Sequence, residues 1–421
     1  MTFIKIIPTK LNGKITAPPS KSLSHRAIIC ASLCMDGGES KVDNVILSED
    51  IKATIESMRN LGTEIKIVEN ANKTYCLYIK RNNNLIKDIT IDCNESGSTL
   101  RFLIPIALSL SDSCTFTGKG KLVERPLDDF YKIFKENNIH YENNDGKLPL
   151  SVSGKLKSGV YELSGSISSQ FISGLLFALP LLKNDSTIKI TDKLQSVGYV
   201  DLTINMLKHF GVNIVNNDYK EFKIHGSSNY KSSNYFVEGD FSQGAFFLTS
   251  HSIGNNIECD GLNENSLQGD KEILDIIKQY EKNDIDEIII DASQIPDLVP
   301  ILAVNAALKN GVTTKIINAE RLRIKESDRL NAISTEMNKL GANIIELNDG
   351  LIIKGQNLLK GNAIVNSHND HRIAMSLAIA ATKCENEIIL QDYMSVNKSY
   401  PEFWNDYKSL GGVVNELDLG K

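Results

Sequence analysis

The sequence predicts a mixed α/β protein built as two similar halves, each of three related units. Three observations carry this. At 421 residues the chain is too long for a single hydrophobic core and natural for two domains. One short pattern, a helix ending in a large apolar residue, then a glycine, then a β-rich strand, recurs along its whole length. Further strands and helices alternate between the copies, which is the mark of layered α/β structure.

In chain order, the copies are "MRNLGTEIKIV" (58–68), "IFKENNIHYE" (133–142), "MLKHFGVNIV" (206–215), "IIKQYEKNDID" (276–286), "MNKLGANIIE" (337–346) and "YKSLGGVVNE" (407–416). The glycine supplies a left-handed C-cap. Asn138 takes its place in the second copy, since asparagine tolerates that conformation. The fourth copy is weak and has no glycine. "SVSGKL", "IDCNES" and "TIKIT" add strands between copies. Three units to a half give domains of about two hundred residues, within the usual range. The polar stretch "HGSSNYKSSNY" (225–235) is the expected crossing. The N-terminal strand, ending before Pro18, joins the second half. The expected domains are therefore residues 1–15 with 228–421, and residues 16–227, with the active site in the cleft separating them.

Composition narrows the class. Hydrophobic residues make up 41% of the chain and the net charge is −6, which argues against a nucleic-acid surface but permits a local basic cleft. The seven cysteines (30, 34, 76, 93, 114, 259, 384) include no CxxC and read as small core residues of a reduced, cytoplasmic protein. "MTFIKIIPTK" lacks the apolar run of a signal peptide, and no stretch reaches the length of a membrane span.

Charged and hydroxyl residues gather at helix starts. In "APPSKSLSHRA" (17–27), Pro18 and Pro19 fix a sharp entry, Ser20 or Ser22 can cap, and Lys21 and Arg26 flank free N–H groups that favour an anion. "NESGSTLRFLIPIA" (94–107) is a small-residue turn before an apolar helix carrying Arg101; it lacks the GK[ST] ending of a Walker loop. "GKGKLVERPL" (118–127) brings Lys119, Lys121 and Arg125, and "SGSISSQFISGLLFALP" (164–180) brings Ser168, Ser169 and Gln170. "ERLRIKESDRL" (320–330) reads, taken alone, as a solvated helix face with i,i+4 ion pairs. "NDHRIAM" and "VNKSYPEFW" add Arg372 and Lys398. "HNDHR" lacks a third metal ligand at suitable spacing, so His371 is structural or orients substrate, and His25 and Asp370 hold neighbouring groups. Such convergence in an acidic chain suits ligands bearing several phosphates and carboxylates, which Arg holds bidentately and Lys as a point charge.

These residues resemble the enolpyruvyl transferase family, in its branch that takes shikimate 3-phosphate as acceptor. "PSKSLSHRA", "SGSTLR", "ERPL", "SGSISSQF", "SVGYVDLT", "IPD", "RIKESDRL", "NDHR" and "KSYPEF" follow the family's order along nearly the whole chain. The resemblance implies two domains, each of three βαβαββ units in an inside-out α/β barrel. It implies transfer of the enolpyruvyl group of phosphoenolpyruvate to the 5-hydroxyl of shikimate 3-phosphate, a step of aromatic amino acid biosynthesis. It also implies a monomer, with no metal and no organic cofactor. Shikimate 3-phosphate is then expected at Lys21, Ser22, Arg26, Ser168, Ser169, Gln170, Ser196, Tyr199, Asp297 and Lys325. Phosphoenolpyruvate is expected at Lys21, Gly97, Arg125, Gln170, Arg329, Arg372 and Lys398. Asp297 is the expected base, and Glu326 and Lys21 are the candidates for protonating the methylene.

Two positions depart from the family pattern. Glu95 and Arg321 stand where many members carry asparagine. A carboxylate at 95 repels phosphoenolpyruvate unless it turns away. The sister branch acting on UDP-N-acetylglucosamine carries a cysteine five residues before the "RP" arginine, where this chain has Gly120. A non-catalytic binder of phosphorylated metabolites gains nothing from Asp297 and Glu326 inside its site.

Overall fold

A helix that is apolar around its whole circumference has to be covered on every side. Helix Lys21–Ser32 is buried without a break from Leu23 to Ser32. Helix Gly97–Leu110 is buried throughout Thr99–Leu108, and helix Ser169–Ala178 throughout Phe171–Ala178. The computed structural model describes residues 2–82, 89–282 and 285–418, and these three helices form the centre of one of its two compact units, Pro19–Glu238. Gly174 sets how closely two of them pack: a Cβ there would stand 2.4 Å from the carbonyl oxygen of Arg101.

Three four-stranded sheets belong to this unit. The second runs Ile89–Asp92, Ser113–Thr117, Lys147–Ser153, His140–Asn144, with the first pair parallel and the other two antiparallel. Its strands alternate buried and exposed residues, so one face meets the core and the other meets solvent. The third sheet, Val160–Leu163, Ser186–Ile190, Glu221–Ile224, Ile214–Asn217, repeats that order and those directions. In the first, Asn234–Phe236 supplies the parallel edge beside Ser40–Val45, followed by Tyr75–Arg81 and Thr63–Glu69. That pairing keeps the polar stretch around 225–235 in this unit and moves the division from 227/228 to Glu238/Gly239. Helices inside and sheets outside give the inside-out α/β arrangement.

The other unit, Met1–Pro18 with Gly239–Lys421, also centres on three buried helices, Phe241–Ser252, Val299–Ala307 and His371–Ala381. Glu287–Asp291, Thr313–Ile317, Gly350–Lys354 and Asn343–Leu347 form a sheet of the same order and directions. In the next, Ala363–Asn366 and Ile388–Gln391 are completed by Phe3–Ile7 and Val413–Leu417, so the start of the chain supplies the strand the last unit lacks. The remaining sheet has two parallel strands among the described residues, Asn12–Thr16 and Asn256–Asp260. It belongs with the fourth copy, the one without a glycine, of which Asn283 and Asp284 lie outside the described residues.

The helix ends match the repeat. Gly62, Gly211, Gly341 and Gly411 take φ between +84° and +95°, and Asn138 takes φ +56° in their place. The cysteines are buried apart from Cys259, which is half-buried. Among the described residues no helix is long and apolar enough to cross a membrane.

Candidate active site

In unit Pro19–Glu238 each buried helix starts at a serine cap. Ser20 accepts from Leu23 N–H, Ser96 from Thr99 N–H, and Ser168 from Gln170 N–H. Cations are fixed around these ends. Lys21 Nζ is 2.7 Å from Asp50 Oδ2. Arg26 is buried; it donates to Thr203 Oγ1 at 2.9 Å and to the carbonyls of Ser22 at 2.8 Å and Tyr199 at 2.9 Å. Its guanidinium also lies 5.2 Å from the Phe102 ring centre and 5.9 Å from that of Tyr199. Burial brings its pKa down to about 10, which leaves it charged at neutral pH.

Gln170 is held from two sides. Arg101 donates to its Oε1 at 2.9 Å, and its Nε2 donates to Ser98 Oγ at 3.0 Å. Gly97 leaves room for the Arg125 guanidinium: a Cβ would stand 2.6 Å from Nη1 and would have to displace it, while Gln170 Oε1 at 3.5 Å is in ordinary contact. Ser169 is buried beside its capping neighbour, and Ser196 sits buried at φ +55° just ahead of helix Val197–His209, which carries Tyr199. Glu95 packs over Gly120, where a Cβ would stand 2.5 Å from Oε2. With φ +54° at Gly120 as well, a cysteine at this position would be strained and would have to displace the Glu95 carboxylate.

In the other unit the site is a knot of charge around the buried Arg329, Asp370 and Arg372. Arg329 is 1% exposed and is bound by three carboxylates. Its Nε donates to Asp370 Oδ2 at 2.8 Å, Nη1 to Asp297 Oδ1 at 2.8 Å, and Nη2 to Glu326 Oε2 at 2.6 Å. Arg372 donates to the carbonyl of Asp297 and to its Oδ2, both at 3.0 Å, and Lys325 Nζ is 3.8 Å from Oδ1. Burial pushes the Asp297 pKa up, but Arg372, Lys325 and Arg329 outweigh it and hold the carboxyl well below its usual range. Lys325 is pushed down to about 8, chiefly by desolvation, with Arg329 and Arg321 adding to it. Lys398 Nζ donates to the carbonyl of Asn369 at 2.5 Å.

Within Pro19–Glu238 the structure carries Lys21, Ser22, Arg26, Gly97, Arg125, Ser168, Ser169, Gln170, Ser196 and Tyr199 at or beside helix starts. Asp297, Lys325, Glu326, Arg329, Arg372 and Lys398 belong to the other unit. The "ERLRIKESDRL" segment is not one solvated helix. It is a 3-10 turn, Glu320–Ile324, then a helix that starts at Arg329 with Asp328 as its cap. Arg323 meets Asp328, five residues on, and the distant Glu346, both at 2.8 Å, and the pair at near-helical spacing, Glu326 with Arg329 at 2.6 Å, is made by a buried arginine rather than a solvated one.

Sequence reasoning missed two acids. Asp50 looks like an ordinary first-turn acid favoured by the helix dipole, and only the packing of two helices gives it Lys21. Asp270 is buried in a turn that Gln268 locks by accepting from Phe241 N–H at 3.0 Å and donating to the carbonyl of Gly239 at 2.8 Å. Burial and then Asp297 raise its pKa to about 6. No local signal marks it. Among the described residues no group of His, Cys, Asp and Glu is arranged to hold a metal ion.

A family model described as EPSP synthase (3-phosphoshikimate 1-carboxyvinyltransferase) matches residues 6–407. The chain is 53% identical over 439 residues to the 3-phosphoshikimate 1-carboxyvinyltransferase of Clostridium novyi (strain NT), covering all of both chains. It is 50% identical over 440 residues to that of Clostridioides difficile (strain 630), again covering both completely. A solved structure of EPSP synthase from Acinetobacter baumannii superposes with a TM-score of 0.79 over 99% of this chain and 100% of that one. At 23% identity that likeness concerns the fold.

Proposed function

The chain belongs to the EPSP synthase family, and from that premise we propose that it transfers the enolpyruvyl group of phosphoenolpyruvate to the 5-hydroxyl of shikimate 3-phosphate. The observation that carries the reading is the knot in which half-buried Asp297 faces buried Arg329 and Arg372 and half-buried Lys325. A carboxylate that only had to balance charge could sit anywhere beside one arginine. Here it is shared among three cations suited to a carboxylate and a phosphate.

Shikimate 3-phosphate takes Lys21, Ser22, Arg26, Ser168, Ser169, Gln170, Ser196, Tyr199, Asp297 and Lys325, while phosphoenolpyruvate takes Lys21, Gly97, Arg125, Gln170, Arg329, Arg372 and Lys398. The chain works as a monomer. The 5-hydroxyl oxygen bonds to C2 of phosphoenolpyruvate as Asp297 accepts its proton, and the C3 methylene gains a proton from Glu326 or Lys21. Positive charge at C2 is stabilised by the nearby carboxylates. The tetrahedral adduct then loses phosphate and a methyl proton, leaving the enolpyruvyl ether. Substrate anions compete for the guanidinium protons that Asp297 accepts in the free protein. Their binding therefore loosens the ion pairs and raises the basicity of Asp297 when it is needed.

Phosphate release is the test. It should require both phosphoenolpyruvate and shikimate 3-phosphate and should persist in EDTA. Equal turnover with UDP-N-acetylglucosamine as acceptor, or activity abolished by EDTA, would overturn the proposal.

A further inference from the structure

Two rungs join the first two helices of unit Pro19–Glu238. Lys21 and Asp50 meet at 2.7 Å at the starts of helices Lys21–Ser32 and Glu49–Asn60. One turn further in along both helices, His25 Nδ1 lies 2.7 Å from Thr54 Oγ1. The contact continues to the third helix, where Thr54 Oγ1 is 2.7 Å from Thr99 Oγ1. Thr99 Oγ1 donates to Ser96 Oγ at 2.7 Å, and Ser96 also accepts the Thr99 N–H at 3.1 Å as the cap of helix Gly97–Leu110. His25, Thr54, Thr99 and Ser96 are fully buried.

Each hydroxyl has one proton, and this fixes the direction of the chain. Thr99 spends its proton on Ser96, so it can only accept from Thr54. Thr54 has then spent its own, so the bond to the imidazole must be donated by His25 Nδ1–H. The ring's other nitrogen, Nε2, is buried with no hydrogen-bond partner among the described residues. A second proton on it would add a cation beside Lys21 and Arg26 in a buried site. Burial, then those two charges, hold the His25 pKa well below its ordinary value.

The far end of the chain is functional. Ser96 precedes Gly97, the residue whose lack of a side chain lets Arg125 approach. Rotating the Thr99 hydroxyl away from Ser96 deprives the cap of one of its two donors and frees the first turn to shift. We propose that His25, as the neutral Nδ1–H tautomer, is a positioning residue for phosphoenolpyruvate: it terminates a one-way hydroxyl relay that fixes the Ser96 cap and thereby the turn holding Gly97 against Arg125. The inference rests on the reading of Gly97 and Arg125 as the phosphoenolpyruvate side of the site.

Two measurements on the full chain test it. In a ¹⁵N-histidine spectrum without substrates, the signal lost in His25→Asn should show a pyrrole-type Nδ1 and a pyridine-type Nε2, unchanged as pH falls through the usual histidine range. An Nε2–H tautomer, or a ring that titrates near 6.5, would overturn the relay. In kinetics, Thr99→Val and Thr54→Val keep the shape but remove a donor. Each should raise KM for phosphoenolpyruvate about three- to tenfold, the weight of one hydrogen bond, with KM for shikimate 3-phosphate unchanged. Thr99→Ser should restore it, as should His25→Asn, whose amide N–H sits where Nδ1–H does, whereas His25→Leu should not. Unchanged KM for phosphoenolpyruvate in the valine variants, or an equal rise in both KM values, refutes the positioning role. If the wild-type chain lacks transferase activity, the proposed function fails on its own, and the imidazole spectrum still decides the relay.

Discussion

Replacing Asp297 by asparagine separates the chemical role of this carboxylate from its role in holding the knot. Asp297 accepts from Arg329 at 2.8 Å on Oδ1 and from Arg372 at 3.0 Å on Oδ2. Asparagine has one acceptor oxygen and turns an NH₂ toward the other guanidinium, so one charge-assisted bond is lost. Arg329 keeps Asp370 at 2.8 Å and Glu326 at 2.6 Å, and Arg372 keeps the main-chain carbonyl at 3.0 Å. The cost in stability is then that of one hydrogen bond to a charged group, about 1.5–3 kcal/mol, and the melting temperature falls by several degrees without loss of the fold. Lost general-base catalysis lowers kcat by about a hundredfold or more. Binding should move the other way. Arg329, Arg372 and Lys325 surround Asp297 in the native knot, and the substitution removes one negative charge from among them. Phosphoenolpyruvate should therefore bind Asp297→Asn at least as tightly as the native protein. Stopped-flow phosphate release, thermal unfolding and calorimetric titration read the three quantities. Near-normal turnover in the folded variant would remove Asp297 as the base, and a loss of phosphoenolpyruvate affinity matching the loss of turnover would make it a ligand contact instead.

Two further outcomes follow from named contacts. Lys325, pushed down from 10.5 to about 8, discharges on the alkaline side in the free protein. Then kcat/KM for shikimate 3-phosphate should fall with unit slope above pH about 8, and Lys325→Arg should remove that limb; a profile flat to pH 9.5 would contradict it. The sign for stability is opposite: from about 8 to 10.5 the unfolded chain holds more protons at this site, so its contribution to stability rises with pH. Gly174→Ala drives a Cβ to 2.4 Å from the Arg101 carbonyl and should destabilise the protein by about 1–3 kcal/mol, read by urea unfolding. An unchanged midpoint would mean that the two helices can separate at no cost.

The sequence by itself determined the repeat and the local chemistry of its ends. Left-handed caps at Gly62, Gly211, Gly341 and Gly411, with Asn138 as substitute, follow from backbone sterics that need no tertiary partner. Serine caps at 20, 96 and 168 are likewise local, because a helix start leaves N–H groups that a neighbouring hydroxyl can accept. The motifs in family order also gave the reaction, since residue type and order survive where contacts are invisible. Partnership was decided only by the tertiary structure. Asp50 meets Lys21, Asp297 meets Arg372 across 75 residues of chain, and Asp370 meets Arg329 across 41. Strand Phe3–Ile7 was legible as part of the second half, but its place between Ile388–Gln391 and Val413–Leu417 is a pairing that alternation in a five-residue strand cannot specify. The "RIKESDRL" segment shows the reason most directly. Its charges suit a solvated helix at short range, yet Arg329 is among the largest fully buried side chains, because Asp297 and Asp370 from distant segments join its neighbour Glu326 in offsetting the cost of taking it out of water.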